Sequence, residues 1–197
     1  YISIKTEMYF GKEDTEDDGE DDVVKRIKNT IYFYGEVNRY SVLDLNKNLK
    51  EATLEIQRQC LETGGNGRIF IHICSNGGCV FDGLAAMDTI ASNPVPVTTV
   101  IEGAVCSAAT FIALGGETVT MRPSAQLLIH QITSSFWGKY EEFNDEKKNL
   151  DKLMDQMKKL YSSKTNIPKK VLSEMFKRDI YIDSGDCVKW NIVDNVL

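Results

Sequence analysis

Ser107 sits inside "IEGAVCSAATFIALGG", residues 101 to 116, a run of small and apolar residues with Gly103 four positions ahead of it. A serine among alanines is ordinarily a packing residue. It is also well placed for a nucleophile if the chain there passes from strand to helix. The first turn of a helix leaves its N–H groups unpaired, so the N–H of Ala108 would be free. A second set of free N–H groups is expected at Gly77 and Gly78, in "SNGG" (75 to 78), between an apolar strand and the next helix. Two N–H groups aimed at one point form an oxyanion site. A serine hydroxyl needs a base. Of the two histidines, His130, at the end of an apolar run, is a better candidate than His72, on the strand before the glycines. Singly, each feature has an ordinary explanation: a Gly-Gly pair is usually a turn, and a histidine ending a strand is usually a satisfied polar residue. Together they permit acyl transfer at a carbonyl.

The elements that would position these residues follow from hydrophobic patterning. "NTIYFYGEV" (29 to 37) is rich in β-branched and aromatic residues and reads as a strand. From about Ser41 to Glu62, apolar residues recur broadly at helical spacing, and "TGGNG" (63 to 67) ends that helix. "RIFIHIC" (68 to 74) is a nearly continuous apolar strand, the pattern expected when both sheet faces are covered. "VFDGLAAMDTIAS" reads as a helix, "NPVPVTTVIEG" as a strand leading into the helix of the Ser107 stretch, and "TVTM" and "AQLLIHQI" as strands. This β-α-β-α alternation predicts a layered α/β domain. A long helix follows, with Leu150, Leu153, Met154, Met157, Leu160 and Tyr161 forming one apolar stripe. Pro168 opens a further short helix, and Asp183 is placed to cap another, with Asp186 in its first turn and Asn191 at a left-handed exit.

Composition narrows the function. The 197 residues suit one domain, and no apolar run approaches a membrane span of about 20 residues. The chain begins at Tyr1, not Met, which leaves room for a leader ahead of it. The formal charge of −6 belongs to "EDTEDDGEDD" (13 to 22), which holds eight acids and no base; without it the balance is +2. That run reads as a solvated, disordered tail or loop, and the charge gives no reason to expect a nucleic-acid partner. Five cysteines at irregular spacing predict a reducing, cytoplasmic setting and no disulfide framework. Two histidines, with no GxGxxG or GxxxxGK[ST] motif, give no support for a zinc, dinucleotide or phosphate site, and no cofactor is expected.

The order and spacing of the motifs resemble the proteolytic subunit of the Clp protease, a self-compartmentalising serine peptidase. Ser75-Asn76-Gly77-Gly78 is similar to the family's SPGG loop, Gly103 through Ser107 to its GxxxS turn, Ile129-His130-Gln131 to its IHQ, and Arg178-Asp179 to its arginine-aspartate pair. The likeness runs from about Ile31 to Asp194. It implies a ClpP/crotonase-like fold of layered β-α-β repeats, with a projecting handle helix at about 140–165. The domain would cover 29–197, behind an N-terminal segment at 1–28. It implies Ser107 as nucleophile, His130 as base and Asp179 as the group orienting the imidazole. Gly78 and Ala108 would supply the oxyanion N–H groups. An extended peptide would lie beside Gly78 to Val80 and Gln131 to Thr133, with Gly77, Val80, Gln131 and Ile132 as binding residues. It also implies a homo-oligomeric ring, heptameric or doubly so, and an AAA+ ATPase unfoldase as partner.

Three departures stand out: Asn76 replaces the family's proline, "TSSFWGK" (133 to 139) replaces most of a glycine-rich strand, and the first forty residues differ from the family's axial segment. Two other functions fit the same fold. One is a crotonase-like acyl-CoA hydratase or isomerase, which also aims two N–H groups at a carbonyl. The other is a catalytically silent ring subunit.

Overall fold

The computed structural model describes residues 23–197, so the acidic run at 13–22 lies outside the described residues. Strands β1 (Val24–Ile27) and β2 (Thr30–Tyr34) form an antiparallel hairpin, with Lys28 in the left-handed region at its turn. The sheet thus begins inside the segment expected as an N-terminal extension. Val24 joins the core while Lys25 and Ile27 are exposed, a pattern too short to stand out in sequence.

Helix α1 (Arg39–Thr63) starts where the Asn38 side chain accepts from the N–H groups of Tyr40 and Ser41. It ends at Gly64, in the left-handed region. There follow β3 (Ile69–Ser75), α2 (Val80–Ala91), β4 (Val97–Cys106), α3 (Ala109–Leu114), β5 (Thr118–Met121) and β6 (Gln126–Leu128). The chain closes with α4 (Tyr140–Lys164), α5 (Lys169–Met175), α6 (Ser184–Lys189) and β7 (Asn195–Val196).

The sheet order is β1-β2-β3-β4-β5-β7, parallel from β2 onward, and β6 pairs with the far end of β4. This is the expected layered α/β architecture. Ile31 and Phe33 of β2, Ile69, Ile71 and Ile73 of β3, and Leu45, Leu49 and Ala52 of α1 belong to one buried core. One expectation changes. On β3 the odd residues are buried, but Phe70, His72 and Cys74 are only half-buried, so this chain covers one face of the strand far better than the other.

Two strand boundaries also move. β4 runs on through Cys106, where the sequence reading placed the start of a helix, because β6 pairs with Ala104–Cys106. β6 stops at Leu128, well short of "AQLLIHQI", and the chain leaves the sheet before His130. Helix α4 has 25 residues, so it is about 37 Å long. Of its expected stripe, Met157 and Tyr161 are buried, whereas Leu150, Leu153, Met154 and Leu160 are half-buried. Asp183 caps α6 by accepting from the Asp186 N–H at 2.9 Å, and Asn191 takes the left-handed exit.

Candidate active site

Ser107 lies between β4 and α3 with φ of 54°, a conformation a serine rarely adopts. Three contacts hold it there. Its N–H donates to Leu128 O at 2.8 Å, which ties the turn to β6. Its carbonyl accepts from Thr110 N at 3.0 Å and from Thr110 Oγ1 at 2.6 Å. Thr110 Oγ1 has spent its proton on that carbonyl. The buried phenol of Tyr161, 2.5 Å away, must therefore donate to Thr110. So α4, a helix far along the chain, is bonded through one threonine to the carbonyl of Ser107. Burial raises the Tyr161 pKa far above its ordinary value, which keeps the phenol a donor.

The glycine turn comes against this one. A Cβ on Gly77 would stand 2.7 Å from both Cys106 O and Ser107 Cβ, and 3.1 Å from Ala108 N. With φ of 98° as well, position 77 requires glycine twice over. Val37 donates to Gly77 O at 2.8 Å and accepts from Cys79 N at 2.7 Å. That parallel bridge turns the N–H of Gly78 to the opposite side, away from Val37. The N–H of Ala108 precedes α3 and has no acceptor within that helix. Both expected oxyanion donors are thus backbone groups on the two turns that meet at Ser107.

The histidines separate. His130 is buried, its Nδ1 lies 3.1 Å from Asp179 Oδ1, and its Nε2 is buried with no hydrogen-bond partner among the described residues. Asp179 itself is 72% exposed. The pair is assembled by an antiparallel bridge between Leu127 and Ile182, which lays the 179–182 segment along β6. No hydrogen bond joins His130 to Ser107 in this structure. His72 instead faces Glu102, with Nδ1 2.9 Å from Oε1. Cys106, next to Ser107, is no rival nucleophile: burial pushes its thiol up to about 11, so it stays protonated.

The expected peptide-binding residues are arranged less simply. Gln131 is exposed and Ile132 half-buried, in extended chain beyond β6. The Ile132 N–H points at Met154 Sδ, 3.4 Å away. Val80 is the first residue of α2 and only 3% exposed, so its side chain belongs to the core and the extended edge ends at Cys79.

Two further positions support the site, and the sequence reading did not single them out. Gly83, inside α2, allows close packing: a Cβ there would lie 2.6 Å from Ala108 O. A glycine inside a good helix was the available signal. Tyr161 appeared only as one member of an apolar stripe. No group of three or more metal-ligating side chains occurs among the described residues, and no described helix is long and apolar enough to cross a membrane.

The fold and these turns define a class: layered α/β proteins of the ClpP/crotonase type, with two backbone turns meeting beside a buried imidazole. The chain belongs to the Clp protease family, whose model matches residues 22–197. The ATP-dependent Clp protease proteolytic subunit of Sorghum bicolor is 33% identical over 136 residues, 67% of this chain and 62% of that protein. The Platanus occidentalis subunit of the same name is 36% identical over 132 residues, 65% of each chain. The match thus spans less than two thirds of the length of these curated relatives. Among solved structures, a point mutant of ClpP1 from Listeria monocytogenes superposes with a TM-score of 0.72 at 25% identity, covering 86% of this chain and 91% of that one. This kinship sets the chain with the Clp proteolytic subunits rather than with the crotonase-like hydratases.

Proposed function

We propose that this chain is a serine endopeptidase that hydrolyses peptide bonds of unfolded proteins or peptides. The observation that carries the reading is His130: a buried imidazole whose Nδ1 meets a carboxylate while its buried Nε2 has no partner among the described residues. With the proton on Nδ1, donated to Asp179, the Nε2 lone pair is free to act as base. In the proposed reaction Ser107 Oγ attacks the carbonyl carbon while Nε2 takes its proton. The oxyanion lies against the N–H groups of Gly78 and Ala108. The imidazolium, stabilised by Asp179, then returns the proton to the leaving amine. Water, deprotonated by the same nitrogen, releases the acyl group and restores Ser107.

Substrate would bind extended, by backbone pairing beside Gly77–Cys79 and Gln131–Ile132. Pairing at Ile132 would displace the Met154 sulfur from its N–H. The ring assembly, a chamber entered by unfolded chains, an AAA+ unfoldase partner and a cytoplasmic setting are parts of the same proposal, drawn from the family. A fluorophosphonate probe tests its centre. Labelling confined to Ser107, lost in Ser107→Ala and His130→Ala, is the expected result. An unlabelled wild-type protein that also fails to cleave a fluorogenic peptide would overturn it.

A further inference from the structure

The proposed reaction leaves one carboxylate in the sheet unused. Glu102, on β4, stands five residues before Ser107 with its side chain only 17% exposed. Tyr34, at the end of β2, donates its phenol to Oε2. His72 of β3 places Nδ1 2.9 Å from Oε1, and Arg122, just past β5, donates Nε to the same oxygen at 3.0 Å. The Tyr32 ring stacks on His72 at 5.0 Å. Elements on both sides of β4 therefore converge on one side chain. Burial would raise the pKa of Glu102, but the bonds from Tyr34, His72 and Arg122 outweigh it and hold the carboxyl below its ordinary value. Burial and the same contact push the Tyr34 phenol up to about 12, so it remains a donor.

The position of Glu102 in the strand gives this cluster its meaning. β4 pairs with β3 from Ile69↔Val97 to Ile73↔Ile101, and the register resumes at Ser75↔Val105. Between those points β3 advances two residues and β4 four. On its other side β4 pairs with β5 at Thr98–Ile101 and with β6 at Ala104–Cys106. Glu102 and Gly103 fall in the gap on both sides. Gly103 is left-handed, with φ of 55°, and a Cβ there would meet Cys74 Sγ at 2.9 Å. A bulge lacks the ladder bonds that fix an ordinary strand. Its shape nevertheless decides where the last residues of β4, and then Ser107, are delivered.

We propose that Glu102 is a positioning residue: held by Tyr34, His72 and Arg122, it fixes the β4 bulge and thereby the place of Ser107 against Gly77 and His130. Its kinetic consequence rests on the peptidase reading; its structural content does not. The charge of Glu102 is the shared acceptor of the cluster. Removing the charge while keeping the shape frees the bulge without emptying the site.

The test is Glu102→Gln, with two readouts. Fluorophosphonate labelling of Ser107 should slow about 10–100-fold, the scale of a small misplacement of a reacting group, with kcat reduced and KM nearly unchanged. Backbone amides from Gly103 to Ala108 should exchange faster with solvent, while those of α1 and β5 stay protected. His72→Gln keeps a donor toward Glu102 and should label at the wild-type rate; His72→Ala should not. Should Glu102→Gln fail to fold, Arg122→Met removes one exposed donor and carries the same measurements. A variant with a lowered Tm that labels at the wild-type rate and shows unchanged exchange at 103–108 overturns the proposal, because the cluster then only stabilises. If the wild-type protein is not labelled at all, the peptidase reading falls, and the exchange pattern alone decides this one.

Discussion

At the residue scale the decisive contrast is between groups with and without an ordinary explanation. Ser107→Ala removes one oxygen from a turn whose bonds are all made by the backbone and Thr110. Peptide hydrolysis should fall by about four to six orders of magnitude, with the melting curve unchanged. His130→Ala should be as inactive, whereas His72→Gln should keep most turnover, since glutamine still donates toward Glu102 and, in the proposed reaction, His72 does not take the serine proton. Reversed outcomes would show that the base has been misassigned. Four aspartates near the C-terminus pose the harder choice. Asp183 caps α6, Asp186 sits in its first turn, and Asp194 accepts from Val119 N at 2.7 Å, which pins β5. Among the described residues, the Asp179 side chain bonds to His130 alone. Asp179→Asn should therefore lose most turnover with little change in Tm, while Asp183→Ala should lose about 0.5–2 kcal/mol of stability through the cap and keep its turnover. Ser107, His130 and the glycines were legible in the sequence as residue types at suitable turns. Asp179 was not: an exposed aspartate in a loop carries no local signal, and only the motif resemblance pointed to it.

At the scale of elements, the site is two turns pressed together, and glycine permits the approach. A methyl at Gly77 would strike Cys106 O and Ser107 Cβ, and one at Gly83 would strike Ala108 O, all atoms with little room to give. Gly83→Ala should push α2 away from the start of α3 and shift the Ala108 N–H. Strain of this kind costs about 1–3 kcal/mol, which for a domain of this size lowers Tm by about 2–12 °C. Activity should fall more than tenfold. A Gly83→Ala protein with wild-type turnover would mean that the oxyanion turn tolerates displacement. Helices α1, α2 and α4 were readable because their apolar periodicity is long. β7 was missed and β6 overestimated for the opposite reason. β7 is two residues long, and its place is set by pairing with Thr120 and Met121, far away in sequence. The residues after Leu128 look like strand because they are apolar, but they find no neighbouring strand among the described residues. The bulge at Glu102–Gly103 was invisible for a related reason: it exists only as a mismatch between β4 and its partners.

At the scale of the whole molecule, one segment that departs from the family, 133 to 139, leads into a cluster of exposed aromatic side chains. Phe136, Trp137, Tyr140 and Phe143 are all exposed, Trp137 completely, and the Phe136 and Phe143 rings pack on each other at 6.1 Å. Four large aromatic side chains within eight residues, at the start of a helix whose first half is barely covered, make a patch that water alone does not stabilise. By the resemblance, "TSSFWGK" (133 to 139) replaces most of a glycine-rich strand that helps rings stack. In the structure residues 133–139 form no strand, and Phe136 and Trp137 stand exposed there just ahead of α4. If the proposed rings of this chain also stack, side-chain burial rather than strand pairing would join them. Replacing Trp137 and Phe143 together by serine should then halve the particle mass seen by mass photometry. Labelling of Ser107 within each single ring should persist, because neither residue touches the turns. Stacking by backbone pairing would leave the mass of the double variant at the wild-type value. That result would assign the contact to another part of the chain. A wild-type particle already at the mass of one ring would show that the aromatic patch serves something other than stacking.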